Sequence, residues 1–183
     1  MRKIIAGLFS SLDGVVEAPE KWSMQYSTPE VTAALMRLFE DADTALLGGS
    51  TYRMWSTFFP YATNEQVPTA DWMNSSPKYV VSNTLTDVAQ WQHSHLITGA
   101  DIASQIRALK EQPGGTINVG GSITLVQYLI RNGLLDELYL QIDPVIVGTG
   151  RTLADGEQIP MTLASTHTFA NGVIEAHYTL QPR

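Results

Sequence analysis

The sequence predicts an α/β domain with a mixed central sheet, parallel through most of its strands and antiparallel at its end. Two observations predict it. Up to about residue 132, short apolar runs rich in β-branched residues alternate with segments whose apolar residues recur at helical spacing. Beyond that point come two strand-like runs with glycine- and threonine-rich connections, a pattern that suits antiparallel pairing. Two Gly-Gly pairs, each between a strand and a helix, mark where such a sheet can take a ligand.

The elements follow in order. Residues 4–10 form an apolar run that ends in SLDG and read as a buried first strand and turn. Residues 17–28 read as a polar and aromatic loop. Thr28 caps a helix with Pro29 at its first position, and Val31, Leu35, Leu38 and Phe39 give that helix one apolar face. The run TALLGGSTY is a short strand entering a second helix, and residues 56–76 read as a surface excursion. Residues 78–82 are a strand and 95–97 a weaker one. A helix over residues 101–111 then stops at Pro113-Gly114-Gly115. Residues 116–119 form a strand, Gly120-Gly121 a turn, and Ser122 the cap of a helix that ends at Asn132-Gly133. The tail holds strands over 137–147 and 173–180. Nothing in the 183 residues suggests a linker, so residues 1–183 are expected to form one domain.

Composition excludes several functions. The formal charge is −7 and the basic residues are scattered, so no stripe exists to neutralise nucleic-acid phosphates or an anionic membrane. There are no cysteines, which removes disulfides and thiolate chemistry. No run approaches the about 20 apolar residues of a membrane helix, and a cytoplasmic protein is expected. His93 and His95 alternate as on a strand without a third ligand, so no metal is expected. His167 and His177 read as solvated residues of the tail.

The glycine pairs carry the chemistry. At Val119-Gly120-Gly121-Ser122 and at Leu47-Gly48-Gly49-Ser50-Thr51, absent side chains let the backbone approach an anion, and the first N–H groups of the helix point outward. Each turn alone reads equally well as tight packing. Two of them in one chain suggest a dinucleotide pyrophosphate lying between them.

The segments SLDG at 11–14, LLGGSTY at 46–52, KYVVSNTL at 78–85, INVGGSITLVQYLIRNGLLDEL at 117–138 and PVIVGTGRTL at 144–153 resemble, in order, the RibD C-terminal-domain family. The resemblance implies a three-layer α/β/α dihydrofolate-reductase-like fold of roughly eight strands. It also implies NADPH as hydride donor, with NAD, a flavin or no cofactor as the alternatives, and a homodimer whose interface the β tail could supply. By that resemblance Gly48, Gly49, Ser50 and Thr51, together with Val119, Gly120, Gly121, Ser122, Ile123 and Thr124, meet the cofactor phosphates. Ser82 and Asn83 lie by the adenosine ribose, and Asp13 and Gly14 border the nicotinamide.

The chain departs from the family pattern at Gly49 and Asn83, where relatives carry basic residues that pair with the 2′-phosphate of NADP. Lys78 and Arg53 are the possible substitutes, though both read as surface charges. Val31 stands where dihydrofolate reductases keep a buried acid. Glu30 is one residue away, about 100° around the helix. Glu30 and Asp13 are the catalytic candidates, and Asp13 is also a standard turn residue. Trp22 and Trp55, with Val31, are the candidates to hold a flat substrate. The activity implied is reduction of a C=N or C=O bond in a small heterocycle, as in dihydrofolate or the riboflavin-pathway 5-amino-6-(5-phosphoribosylamino)uracil. A binding protein without turnover is the alternative. The H-x-E and P-C-x-x-C motifs of the deaminase half of RibD proteins are absent.

Overall fold

Strand–helix alternation builds one eight-stranded sheet in the computed structural model, which describes residues 1–180. The strands are β1 Ile4–Ser11, β2 Ala42–Gly48, β3 Lys78–Val81, β4 Ser94–Ile97, β5 Thr116–Gly121, β6 Glu137–Asp143, β7 Thr162–Thr168 and β8 Ile174–Thr179. Their order across the sheet is β4-β3-β2-β5-β1-β6-β8-β7. Pairing is parallel from β4 to β6 and antiparallel for β6–β8 and β8–β7.

The helices are α1 Pro29–Glu40, α2 Gly49–Trp55, α3 Ala70–Ser75, α4 Ile102–Glu111 and α5 Ile123–Arg131. Three begin on side-chain caps, at Thr28 and Ser122 as expected and also at Asp101: Thr28 accepts from the Val31 N–H, Asp101 from Ser104 and Ser122 from Leu125. Ile106 and Leu109 of α4 and Val126 and Leu129 of α5 pack on one sheet face with Ile4, Ala6, Ile117 and Val119. On the other face, α2 and α3 bury Tyr52, Ala70 and Met73 with Ala45, Leu47, Val80 and Trp91. On that same side, α1 buries Val31 and Ala34 against Phe169 and Val173. The three layers and mixed sheet are those expected.

Several expectations need correction. Residues 56–76 are not a surface excursion: Phe59 and α3 close the second core, and Phe59 stacks on Trp91 at 5.6 Å. The strand expected over 137–147 ends at Asp143, since Pro144 brings no N–H to continue a ladder. Strand β7 was not foreseen; it is exposed along its whole length and held by pairing with β8. Lys78 is no surface charge. It is fully buried, donates to the carbonyls of Met73 and Ser76 at 2.8 Å, and lies 4.7 Å from the Trp91 ring centre. His177 is half-buried, not solvated, 3.1 Å from Glu137 and stacked on Tyr139. Among the described residues no helix is long and apolar enough to cross a membrane.

Candidate functional site

Because β1 to β6 run in one direction, their carboxyl ends form a single rim, and at its centre β2, β5 and β1 are neighbours. Gly48 and Gly121 therefore lie close together, Leu47 pairing with Gly121, while β1 runs on to Ser11 beside Asp143. Gly121 has φ +107°, a conformation glycine favours, and the Gly121–Ser122 peptide is cis. A β-carbon on Gly120 would come within 2.5 Å of the Trp55 ring, so that indole forms a wall directly over the turn.

The neighbouring turn is equally tight. A β-carbon at Gly49 would lie 2.8 Å from the Ser82 hydroxyl, which itself accepts from the N–H groups of Thr84 and Leu85 at 3.2 and 3.1 Å. Ser50 is exposed, whereas Thr51 is buried facing Gly121. Neither caps α2; Gly48 holds the N-cap position. The Asn83 carbonyl oxygen accepts from Thr98 and Gly99, tying β3 to the loop after β4. Val119 sends its side chain into the core, leaving only its backbone for the rim. Ile123 is half-buried, and Thr124 is exposed and accepts from Arg151 at 3.0 Å.

Asp13 and Gly14 form the turn after β1, with Gly14 at φ +80°. The Asp13 carboxylate accepts from the Ser11 hydroxyl at 2.6 Å and from the N–H groups of Val147 and Gly148 at 3.0 and 2.7 Å. These bonds favour the charged form and hold its pKa down at about 2. Asp13 is thus a latch between two loops, and a group so easily ionised is a poor proton donor near neutrality. The Val15–Thr152 bridge and the bond from Arg151 N–H to Glu17 continue the lacing.

Beneath α1 a narrow cleft lies between Val31, Leu35 and Leu38 above and Gly7, Phe9 and Gln141 below, with Glu175 also at its wall. Val31 lines it; Glu30 is exposed and does not. The rotation of one residue along the helix accounts for the difference. Trp22 is buried, and its indole N–H donates to the Glu17 carbonyl at 2.9 Å.

Sequence reading missed two residues here. Gln141 lines the pocket and donates its amide N–H to Asp143 Oδ1 at 2.8 Å. Asp143 is fully buried at the end of β6, and its Oδ2 lacks a partner in hydrogen-bond geometry among the described residues. Burial pushes its carboxyl above the ordinary range, while Ser23 and Gln141 pull the other way. No periodicity marks such a residue; an acid ending an apolar strand was the available signal.

Exposed apolar side chains also gather at this rim. Leu12, Met24, Met54, Phe58, Tyr61 and Ile146 all lie in the segments that follow β1, β2 and β6, with Met54 on α2.

The solved structures most like this one include a putative riboflavin biosynthesis protein from Shewanella sp. PV-4, with a TM-score of 0.78 and 22% identity over 98% of this chain and 99% of that one. Dihydrofolate reductase from Enterococcus faecalis, complexed with NADP(H), superposes with a TM-score of 0.65 and 13% identity, over 98% of this chain and 96% of that one. Among curated sequences, the uncharacterized protein YyaP of Bacillus subtilis (strain 168) is 28% identical over 97% of this chain and 94% of its own. At these identities the structural likenesses establish a dihydrofolate-reductase-like fold, and a family model narrows it. The RibD C-terminal domain model matches residues 2–174, and the chain belongs to that family.

Proposed function

We propose that the chain is an NADP(H)-dependent oxidoreductase that reduces a C=N or C=O bond in a small heterocycle of pterin, folate or ribosylaminouracil type. The observation that carries this reading is the rim where Gly48 packs against Ser122 and Gly120 lies bare beneath Trp55. A β-carbon at positions 48, 49 or 120 would run into Ser122, Ser82 or Trp55, so the glycines let the two turns close up on one another. The residues present fit a pyrophosphate, which would take the outward N–H groups at Gly121, Ser122 and the start of α5. When bound, the nicotinamide supplies the hydride.

The chain's own residues then bind and orient. Ser82 and Asn83 flank the adenosine ribose, Asp13 and Gly14 fix the loop beside the nicotinamide, and Trp55 walls the space between. In the pocket, Asp143 holds the Gln141 amide nitrogen, which leaves the Gln141 carbonyl oxygen for a donor on the substrate. Asp143 is a positioning residue in this reading. The proton for the nitrogen or oxygen of the reduced bond would come from water entering the open mouth. Neither the latched Asp13 nor the exposed Glu30 is placed to give it.

One observation favours a second reading, a nucleotide- or pterin-binding protein without turnover: Val31 lines the pocket from the start of α1, and the carboxyl at the wall, Glu175, is paired with Arg37. Titrating NADPH and NADH and then following nucleotide oxidation with dihydrofolate and flavin-like acceptors separates the two. Binding with turnover supports the reductase, binding without turnover supports the second reading, and binding of neither nucleotide contradicts both. We read β7, an exposed edge strand, as the edge where a second copy pairs into a homodimer. Mass in solution tests that assignment.

A further inference from the structure

A groove of about 170 Å³ lies on the opposite face of the sheet from α1, between α5 and residues 153–161. Its floor is apolar: Ile130 of α5, with Leu153, Ile159 and Met161 packed on the core that α4 and α5 cover. Its polar side chains are of one kind. Asp155 and Glu157 are carboxylates, Gln127 is the third, and no lysine, arginine or histidine is among the lining residues. The Gln127 amide nitrogen donates to the carbonyls of Thr152 and Leu153 at 3.3 and 3.4 Å, so what it has left is a carbonyl oxygen.

Asp155 gives the groove its chemistry. Its side chain is only 14% exposed, and Arg131 Nε stands 3.2 Å from its Oδ2. That contact lies outside hydrogen-bond geometry, so Asp155 takes no hydrogen bond among the described residues. Arg131 is itself half-exposed, and water screens the pair. A nearly buried carboxylate without donors is costly, and N–H groups arriving on a ligand would relieve the cost. Acceptors alone over an apolar floor select a ligand that carries donors and positive charge on an apolar body. The chain's net charge of −7 draws such a cation in and repels an anion. The groove matches the ~150 Å³ of an apolar cavity that takes a benzene ring.

We propose that this groove is a second ligand site, which takes a small organic cation with an apolar body and holds its ammonium or amidinium group at Asp155. It is independent of the reading of the rim as a dinucleotide site. The test is an amide NMR titration of the full chain with benzylammonium, in the absence and presence of excess NADPH. Benzoate and benzyl alcohol, of similar size, are the anionic and neutral controls. The expected result is saturable shifts at residues 153–161 and at the Gln127 side-chain amide, with a dissociation constant of about 1 mM, as suits so small a ligand. The alcohol should bind roughly tenfold more weakly, and benzoate should not bind. Asp155→Asn should weaken the amine by roughly tenfold. Ala154→Trp, at an exposed position on the groove, should block it. Melting temperature checks that each variant folds, and NADPH should leave the affinity unchanged. The inference is overturned if no saturable shift occurs in the groove, or if benzoate or the alcohol binds as well as the amine. An affinity that either folded variant leaves intact also overturns it, as does displacement of the amine by NADPH, which would place the cation at the rim. So does a groove filled by a second copy of the chain, in which case the amine finds no room and Ala154→Trp lowers the mass in solution.

Discussion

The α-carbon of Gly48 packs directly on Ser122: a β-carbon there would stand 2.9 Å from the Ser122 backbone nitrogen and closer still to its hydroxyl. The contact joins the end of β2 to the cap of α5 and sets the spacing of the two turns. Gly48 has φ −78°, which alanine also adopts, so Gly48→Ala isolates the steric effect from backbone strain. We expect about 1–3 kcal/mol of destabilisation from overpacking and at least a tenfold loss of nucleotide affinity, read by denaturant melts and titration. Unchanged binding would mean that the two turns do not act together.

Asp13 provides a pH test. Its folded pKa is lowered to about 2 from 3.8, so the stability it contributes is fully present above its unfolded value and is lost as pH falls through about 2. Asp13→Asn should therefore melt below wild type at pH 7, and the two curves should converge near pH 2. A gap that persists at pH 2 would show that the carboxylate's charge is not what holds the loop after Pro144.

Lys78 works in the opposite direction. Burial lowers its pKa from 10.5 to about 8, so between those values the unfolded chain binds more protons and stability rises with pH. The rise is bounded at roughly 3 kcal/mol. It is best read below pH 10, before Tyr52 and Tyr139, whose hydroxyls burial pushes upward, act against it. Lys78→Met should abolish the rise, as followed by chemical denaturation between pH 7.5 and 10 (the range that brackets the two values).

Sequence showed the frame of the molecule better than its interior. The caps at Thr28 and Ser122 were legible because capping is local chemistry between residues three apart. The glycine turns were legible because strand, glycine pair and capped helix occur in a fixed order. Strand β7 was not, since TLASTHT is exposed on both faces and carries no alternation; its pairing with β8 is tertiary information. Lys78 and Asp143 were illegible for a related reason. Their burial depends on what folds over them, namely α3 and Trp91 over the lysine and the residue 18–26 loop, through Ser23, by the acid.

Asp143 shows the conflict between stability and placement. Its raised folded pKa means that stability falls as pH rises from the unfolded value toward the folded one, and the burial cost persists above it. Asp143→Asn removes that cost and should stabilise the protein at pH 7 by roughly 1–3 kcal/mol. With Gln141 no longer held by a carboxylate, KM for the heterocycle should rise more than kcat falls. A stabilised variant with unchanged KM would remove Asp143 from the site.

The central claim is that the paired glycine turns hold a nicotinamide dinucleotide. The most direct test is a titration of NADPH and NADH against wild-type protein, following tryptophan emission, because Trp55 lies on Gly120 within the proposed cradle. The account expects saturable quenching by NADPH at one equivalent per chain, much weakened in Gly48→Ala. Absence of saturable binding by either nucleotide up to millimolar concentration, in a protein shown by its melt to be folded, would contradict it.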